Sequence, residues 1–305
     1  MSWRRQLVWA AVAAIGWPSI AAAQSAAPPD SAGPASAAKP WVMVVMDPLA
    51  LPLSCPCVKG YAQRDYDALA AELGKRLDRP IEVVYSESLK VSLGKSQGRA
   101  HLVVGKHSVV LFDAKATGLA CTPIASLSGE DGAITQTGLI VVPAKDAAKT
   151  VAELRGYRII FGPPECDEKH AAALALLEKH GIDRPAKLET APGCDDGCTQ
   201  ILELPAGEHG AAVISSYAKP LLEGCGTVPK HALRVVGETA PIAFVEAFAT
   251  AQLTPAESAQ LLAALVAATQ QPALRIKLET RRGFVALAPV GEPTAKAGEL
   301  SAKKK

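Results

Sequence analysis

Asparagine is absent from this 305-residue chain. Its absence removes the Ser-Asp-Asn element that penicillin-recognising enzymes require, although Ser92 to Lys95 and Ser216 to Lys219 both show their serine-lysine spacing. No Lys-Thr-Gly partner accompanies those serines. The chain also lacks a P-loop, a dinucleotide glycine fingerprint, a Cys-x-x-Cys redox pair and a His-Glu-x-x-His metalloprotease helix, so the common nucleotide, redox and zinc chemistries have no motif to stand on. No enzyme class is therefore expected. A surplus of positive charge is missing as well. Without Arg4 and Arg5 of the N-terminal leader, basic and acidic residues balance at thirty each, which leaves no electrostatic reason to expect nucleic-acid binding. Long apolar runs are lacking too, so no membrane insertion is expected.

The N-terminus instead has the composition of an export signal. MSWRRQLVWAAVAAIGWPSIAAAQ carries a basic start, a short apolar stretch broken by Gly16 and Pro18, and Ala-Ala-Ala before Gln24, which reads as a secretory leader over 1–23 cleaved after Ala23. Position 24 is not cysteine, so a lipid anchor is not expected and the mature chain is placed in a bacterial periplasm. Residues 24–39 hold no large apolar side chain and read as a disordered linker, and 292–305 as a flexible tail. Seven cysteines in an oxidising compartment imply disulfides, and the odd number implies at least one sulfur left over.

Short apolar runs alternate with amphipathic stretches, the pattern of an α/β protein with mostly parallel strands. Strands are expected at 41–46, 81–86, 101–105, 138–143, 157–162, 211–216, 233–238 and 242–248. Tyr66, Leu69, Ala70, Leu73 and Leu77 recur at helical spacing, which predicts a helix over 65–77. Thr150 with Glu153 predicts a capped short helix to Arg155 ended by Gly156. A longer helix is expected from Glu165 to His180 with Gly181 just past its end. Thr254, Pro255 and Glu257 mark a further start, with Leu261, Leu262, Leu265 and Val266 turned inward.

The order of several segments carries a resemblance: Asp47-Pro48 after the first strand, AHLVVGKHSVV, TGLIVVPAKDAAKTVAELRGYRIIFGPPE, a helix ending HGI, GEHGAAVISSYAKPLL and LRVVGETAPI. From about Val42 to Phe284 the chain resembles the periplasmic binding proteins of phosphate, phosphite and phosphonate ABC uptake systems. The resemblance implies a two-lobed type II periplasmic binding protein, with mixed, mostly parallel sheets and a ligand cleft between lobes. Lobe one would hold 40–141 and 240–291, lobe two 142–239, and two crossing strands would form a hinge. It also implies four cleft loops: Pro48 to Tyr61, Gly105 to His107, Gly162 to His170, and Ser215 to Tyr217. Lys106, His107, Glu165, Ser215, Ser216 and Tyr217 are then the candidate ligand-binding residues.

One loop departs from the family pattern. Where phosphonate binders place small hydroxyl residues whose backbone N–H groups hold the anion, this chain has Pro163-Pro164-Glu165-Cys166-Asp167-Glu168. The prolines remove donors and the carboxylates repel an oxyanion, a reading that turns attention from phosphonate towards Cys55, Cys57, Cys166 and His170. Thiolates and imidazoles suit copper, zinc or a haem iron, so these four are the candidate metal ligands. The alternative is that Cys55 and Cys57 form disulfides, one of them to Cys121, since cysteines separated by a single residue bridge each other poorly. Cys194 and Cys198, in a Gly- and Asp-rich loop far along the chain from the cleft loops, are expected to form a structural disulfide among themselves and Cys225. Two functions follow: a binding protein that captures a small molecule or ion by lobe closure for an ABC permease, or a metal-binding or redox-linked accessory factor with a periplasmic redox partner.

Overall fold

The structure is a computed structural model that describes residues 39–54 and 63–288. The expected leader, linker and tail, and the cysteines at 55 and 57, lie outside the described residues. Thirteen strands and eight helices alternate through the described chain.

The first sheet is built on β1 (Trp41–Met46), a WVMVVM run buried along its whole length because helices cover both of its faces. It pairs in parallel with β2 (Ile81–Tyr85) and β3 (Leu102–Lys106). The sheet is extended antiparallel by β12 (Val245–Thr250), β4 (Cys121–Leu127) and β13 (Phe284–Ala286), in the order β13-β4-β12-β3-β1-β2. Trp41, Met43 and Val45 point into a core shared with α1 (Tyr66–Arg76) and α7 (Pro255–Ala268). Val42, Val44 and Met46 meet α2 (Leu89–Lys95) and α3 (His107–Thr117) on the other face. α1 is capped by Asp65, whose side chain accepts the Ala68 N–H. α7 carries the expected box, with Thr254 accepting the Glu257 N–H and Glu257 accepting the Thr254 N–H.

The second sheet runs β10-β6-β9-β7-β8. Its strands are β6 (Gly138–Pro143), β7 (Arg158–Phe161), β8 (Glu189–Thr190), β9 (Gly210–Ser215) and β10 (Leu233–Glu238). It too is covered on both faces. Ile140, Ile159 and Phe161 pack against Ala173 and Leu177 of α4 (Ala171–Lys179), and Val141, Ile160 and Ala212 against Cys198 and Ile201 of α5 (Cys194–Leu202). The chain crosses between the sheets at β5 (Thr135–Gln136) and β11 (Ile242–Ala243), which pair antiparallel. Two further helices, α6 (Ala218–Gly224) and α8 (Pro272–Lys277), complete the set.

Several expectations need correction. Strand pairing is not mostly parallel: among the described residues four strand pairings are parallel and six antiparallel, because β12 and β13 of the first sheet and β6 of the second run against their neighbours, and β11 against β5. The helix expected from Glu165 begins only at Ala171, because residues 163–170 form successive turns in which Cys166 N–H donates to Pro163 O and Lys169 N–H to Cys166 O. The stretch expected over 150–155 is a single 3-10 turn, Val151–Leu154, on the expected Thr150 and Glu153 cap. The loop expected around Cys194 and Cys198 is α5, with Asp195 and Asp196 in its first turn where carboxylates suit the positive end of a helix. Cys194 and Cys198 are free thiols one turn apart, so no disulfide joins either to the other or to Cys225, and Cys121 is free as well.

Candidate functional site

A cavity of about 260 Å³ opens where the parallel strands of both sheets end at their carboxyl termini. Ligands of open α/β sheets collect in this place because several loops converge there. Met46 and Pro48 reach it from the end of β1, Lys106 and Val109 from the junction of β3 and α3, and Tyr217 from the turn after β9. The loop after β7 contributes Pro163, Glu165, Cys166 and Lys169, and Leu53, Glu87 and Pro192 complete the lining.

The β1 end is held by Asp47, which is fully buried. Its carboxylate accepts Arg64 Nη1 at 2.9 Å, the Tyr66 hydroxyl at 2.5 Å and the Leu49 N–H at 2.9 Å. Burial pulls against the Arg64 charge, but Asp47 and its neighbours outweigh it and raise the guanidinium pKa. The Tyr66 phenol is pushed well up, by burial first and by Asp47 second. A charged network thus fixes the turn that brings Pro48 to the cavity.

The loop after β7 is closed at its neck, where Gly162 N–H donates to Lys169 O and His170 Nδ1 lies 2.9 Å from Gly162 O. A Cβ on Gly162 would fall 2.5 Å from the Lys169 Cβ and 2.7 Å from its Cε, so the absent side chain is what lets Lys169 run along this strand end. Glu168, fully buried, turns inward and accepts the Ser215 hydroxyl at 2.6 Å and the Lys106 ammonium. That pair joins a residue of the first sheet to one that follows a strand of the second. Burial works against the Lys106 charge, yet Glu168 more than offsets it and raises its pKa above the ordinary lysine value.

Lys169 differs from Lys106. It is 5% exposed, and among the described residues no carboxylate comes within 4 Å of its ammonium. Among the described residues, the one hydrogen bond of that ammonium is to Cys194 Sγ at 3.7 Å. Burial lowers its pKa, and Cys194 and Cys166 reverse the direction. Cys166 is itself buried, which pushes its thiol up despite the two neighbouring lysines. Tyr217 is pushed up in the same way, burial leading. The cavity therefore has one ammonium neutralised by a carboxylate and one that is not.

Of the residues expected at the site, Lys106, Glu165, Cys166 and Tyr217 line the cavity. Ser215 stands behind it as a donor to Glu168. His107 is turned away, with Nδ1 2.5 Å from Glu246 of β12, and Ser216 faces a separate cavity of about 450 Å³ beside Arg64 and Phe244. Of the expected metal ligands, Cys55 and Cys57 lie outside the described residues. His170 is spent on the loop neck, and among the described residues no group of three His, Cys, Asp or Glu side chains is placed to hold a metal ion. The repulsion expected of the loop's carboxylates is also reduced, since Glu168 is bound by Lys106 and Asp167 points out to solvent. Sequence reading missed Glu168 and Lys169 as site residues. It also missed Cys194, which α5 brings to 3.9 Å from the Ser215 hydroxyl despite its distance along the chain.

The chain is similar to known periplasmic binding proteins. The family model described as ABC transporter, phosphonate, periplasmic substrate-binding protein matches residues 60–289. Among curated proteins, no sequence matches the chain. Among solved structures, an ATP-bound protein of Xanthomonas citri superposes with a TM-score of 0.62 at 14% identity, covering 83% of this chain and 93% of that one. PhnD1 of Prochlorococcus marinus in complex with methylphosphonate gives 0.60 at 12% identity, over 83% and 94%. A binding-protein component of a phosphonate ABC transporter from Pseudomonas aeruginosa gives 0.58 at 10% identity, over 82% of each chain. At such identities the likeness establishes the two-lobed periplasmic binding protein fold and leaves the ligand open. The metal-binding or redox-linked alternative finds no support in any of these matches.

Proposed function

The chain belongs to the family of periplasmic substrate-binding proteins of phosphonate ABC transporters, and from that premise we propose that it captures a small organic anion by closing its lobes and delivers it to a membrane permease. The leader over 1–23 exports it, lobe one (40–141 and 240–291) meets lobe two (142–239) across the cleft, and the anion lies against Lys169. Lys106, Glu165, Cys166 and Tyr217 form the walls. Ser215 acts by holding Glu168. The reading rests on one observation: a buried ammonium with no carboxylate partner among the described residues lines the cavity at the strand ends. A buried uncompensated charge is costly to keep, and a bound anion removes that cost. No step of bond making or breaking is involved, in keeping with a family of solute binders.

Calorimetric titration with methylphosphonate is the direct test, beside the variant Lys169→Met. The wild type should bind, and the variant should lose affinity by about a hundredfold, the scale of a buried charge-assisted contact. Its circular dichroism should stay unchanged. Equal binding by a folded Lys169→Met protein would remove this reading, as would failure of the wild type to bind any phosphonate, sulfonate or carboxylate of a comparable size.

A further inference from the structure

The charge inside the cleft can be counted. Two ammonium groups, Lys106 and Lys169, are buried there with one buried carboxylate, Glu168. Glu168 faces Lys106, Cys166, Tyr217 and Ser215, and its second oxygen, Oε2, is buried with no hydrogen-bond partner among the described residues. Cys166 and Cys194 are free thiols. Glu165 and Glu87 stand at the rim, half-buried and exposed, where water screens them. Among the described residues, the buried interior therefore carries one net positive charge.

We propose that this cleft selects singly charged anions over doubly charged ones, and that Glu168 is the residue that sets the preference. The inference rests on the anion reading above and extends it to the ligand's charge. A monoanion on Lys169 brings the buried charge to zero. A dianion leaves one buried negative charge without a partner, and also approaches the Glu168 carboxylate, with which it competes for Lys106. Glu168 thus occupies Lys106 as a resident anion. The Ser215 hydroxyl at 2.6 Å and the Lys106 ammonium hold it in place, so it is not free to swing out when a second negative charge arrives.

The test uses the full chain, methylphosphonate, and its monomethyl ester, which keeps a single charge. Each is titrated calorimetrically at pH values below and above the second ionisation of methylphosphonate. In the wild type, affinity for methylphosphonate should fall about tenfold or more as it becomes a dianion, while the ester changes by less than about twofold. Glu168→Gln keeps the side-chain shape and an acceptor for Ser215 but releases Lys106, so the fall should vanish or reverse. Tighter wild-type binding of the dianion would overturn the proposal, and so would an unchanged fall in folded Glu168→Gln protein. Should that variant not fold, the wild-type comparison of acid and ester decides by itself. Binding of neither probe at either pH would overturn this preference, and the anion reading with it if sulfonates and carboxylates of comparable size fail to bind as well. Binding of both, with the dianion favoured, would overturn the preference alone.

Discussion

Asp47 shows how much of the site depends on a side chain that no ligand touches. Its carboxylate neutralises Arg64, whose side chain is almost fully buried and whose Nε has no hydrogen-bond partner among the described residues. Removing one member of a buried ion pair strands the other, at a cost of about 3–5 kcal/mol, whereas removing both costs less than the sum. Asp47→Asn should therefore lower unfolding free energy by about that amount in urea titrations, with Asp47→Asn/Arg64→Met recovering part of the loss. A double variant whose loss equals the sum of the single losses would show that the pair is not coupled. Tyr66 adds a further hydrogen bond to the same carboxylate at 2.5 Å, so Tyr66→Phe belongs to the same coupled set.

Among the elements, the loop from β7 to α4 decides the chemistry and was the least legible in the sequence. Strands such as Trp41–Met46, Gly138–Pro143 and Leu233–Glu238 could be read with their ends correct, because continuous apolar runs bounded by polar or turn residues have few other uses. The cap of α7 was equally plain. α3 and α5 were not, since HSVVLFDAKAT sets four apolar residues side by side without helical spacing and CDDGC has the composition of a turn. Tertiary cover, not local preference, makes them helices. In the site loop, proline and acid content suggested repulsion of anions. The outcome depends on where Glu168 and Lys169 point, and adjacent residues of one loop point to different partners for reasons of backbone path that no spacing encodes. Gly162 is part of that path. Gly162→Ala should push Lys169 off the strand end, weakening methylphosphonate binding by about tenfold or more while leaving α4 and the sheet intact by circular dichroism. Unaltered affinity would mean that the Lys169 side chain reaches the cavity by another route.

At the scale of the whole molecule, the Lys106–Glu168 pair joins the first sheet to the loop following a strand of the second, with the described chain crossing between the sheets at β5 and β11. Tyr217 and Leu221, at the start of α6, add apolar contact to the core of the first sheet. Such a bridge favours the closed arrangement before any ligand arrives, and a ligand shifts lobe populations only by its differential affinity for the two states. The double variant Lys106→Met/Glu168→Gln removes both charges together and strands neither, so its effect reports the bridge and not an orphaned ion. Small-angle X-ray scattering should give the ligand-free wild type a radius of gyration near the roughly 19 Å of a compact chain of this size, and the variant a value larger by about 1 Å. If the two proteins scatter alike without ligand, the apolar contacts of α6 alone hold the lobes together and the ion pair has no part in closure.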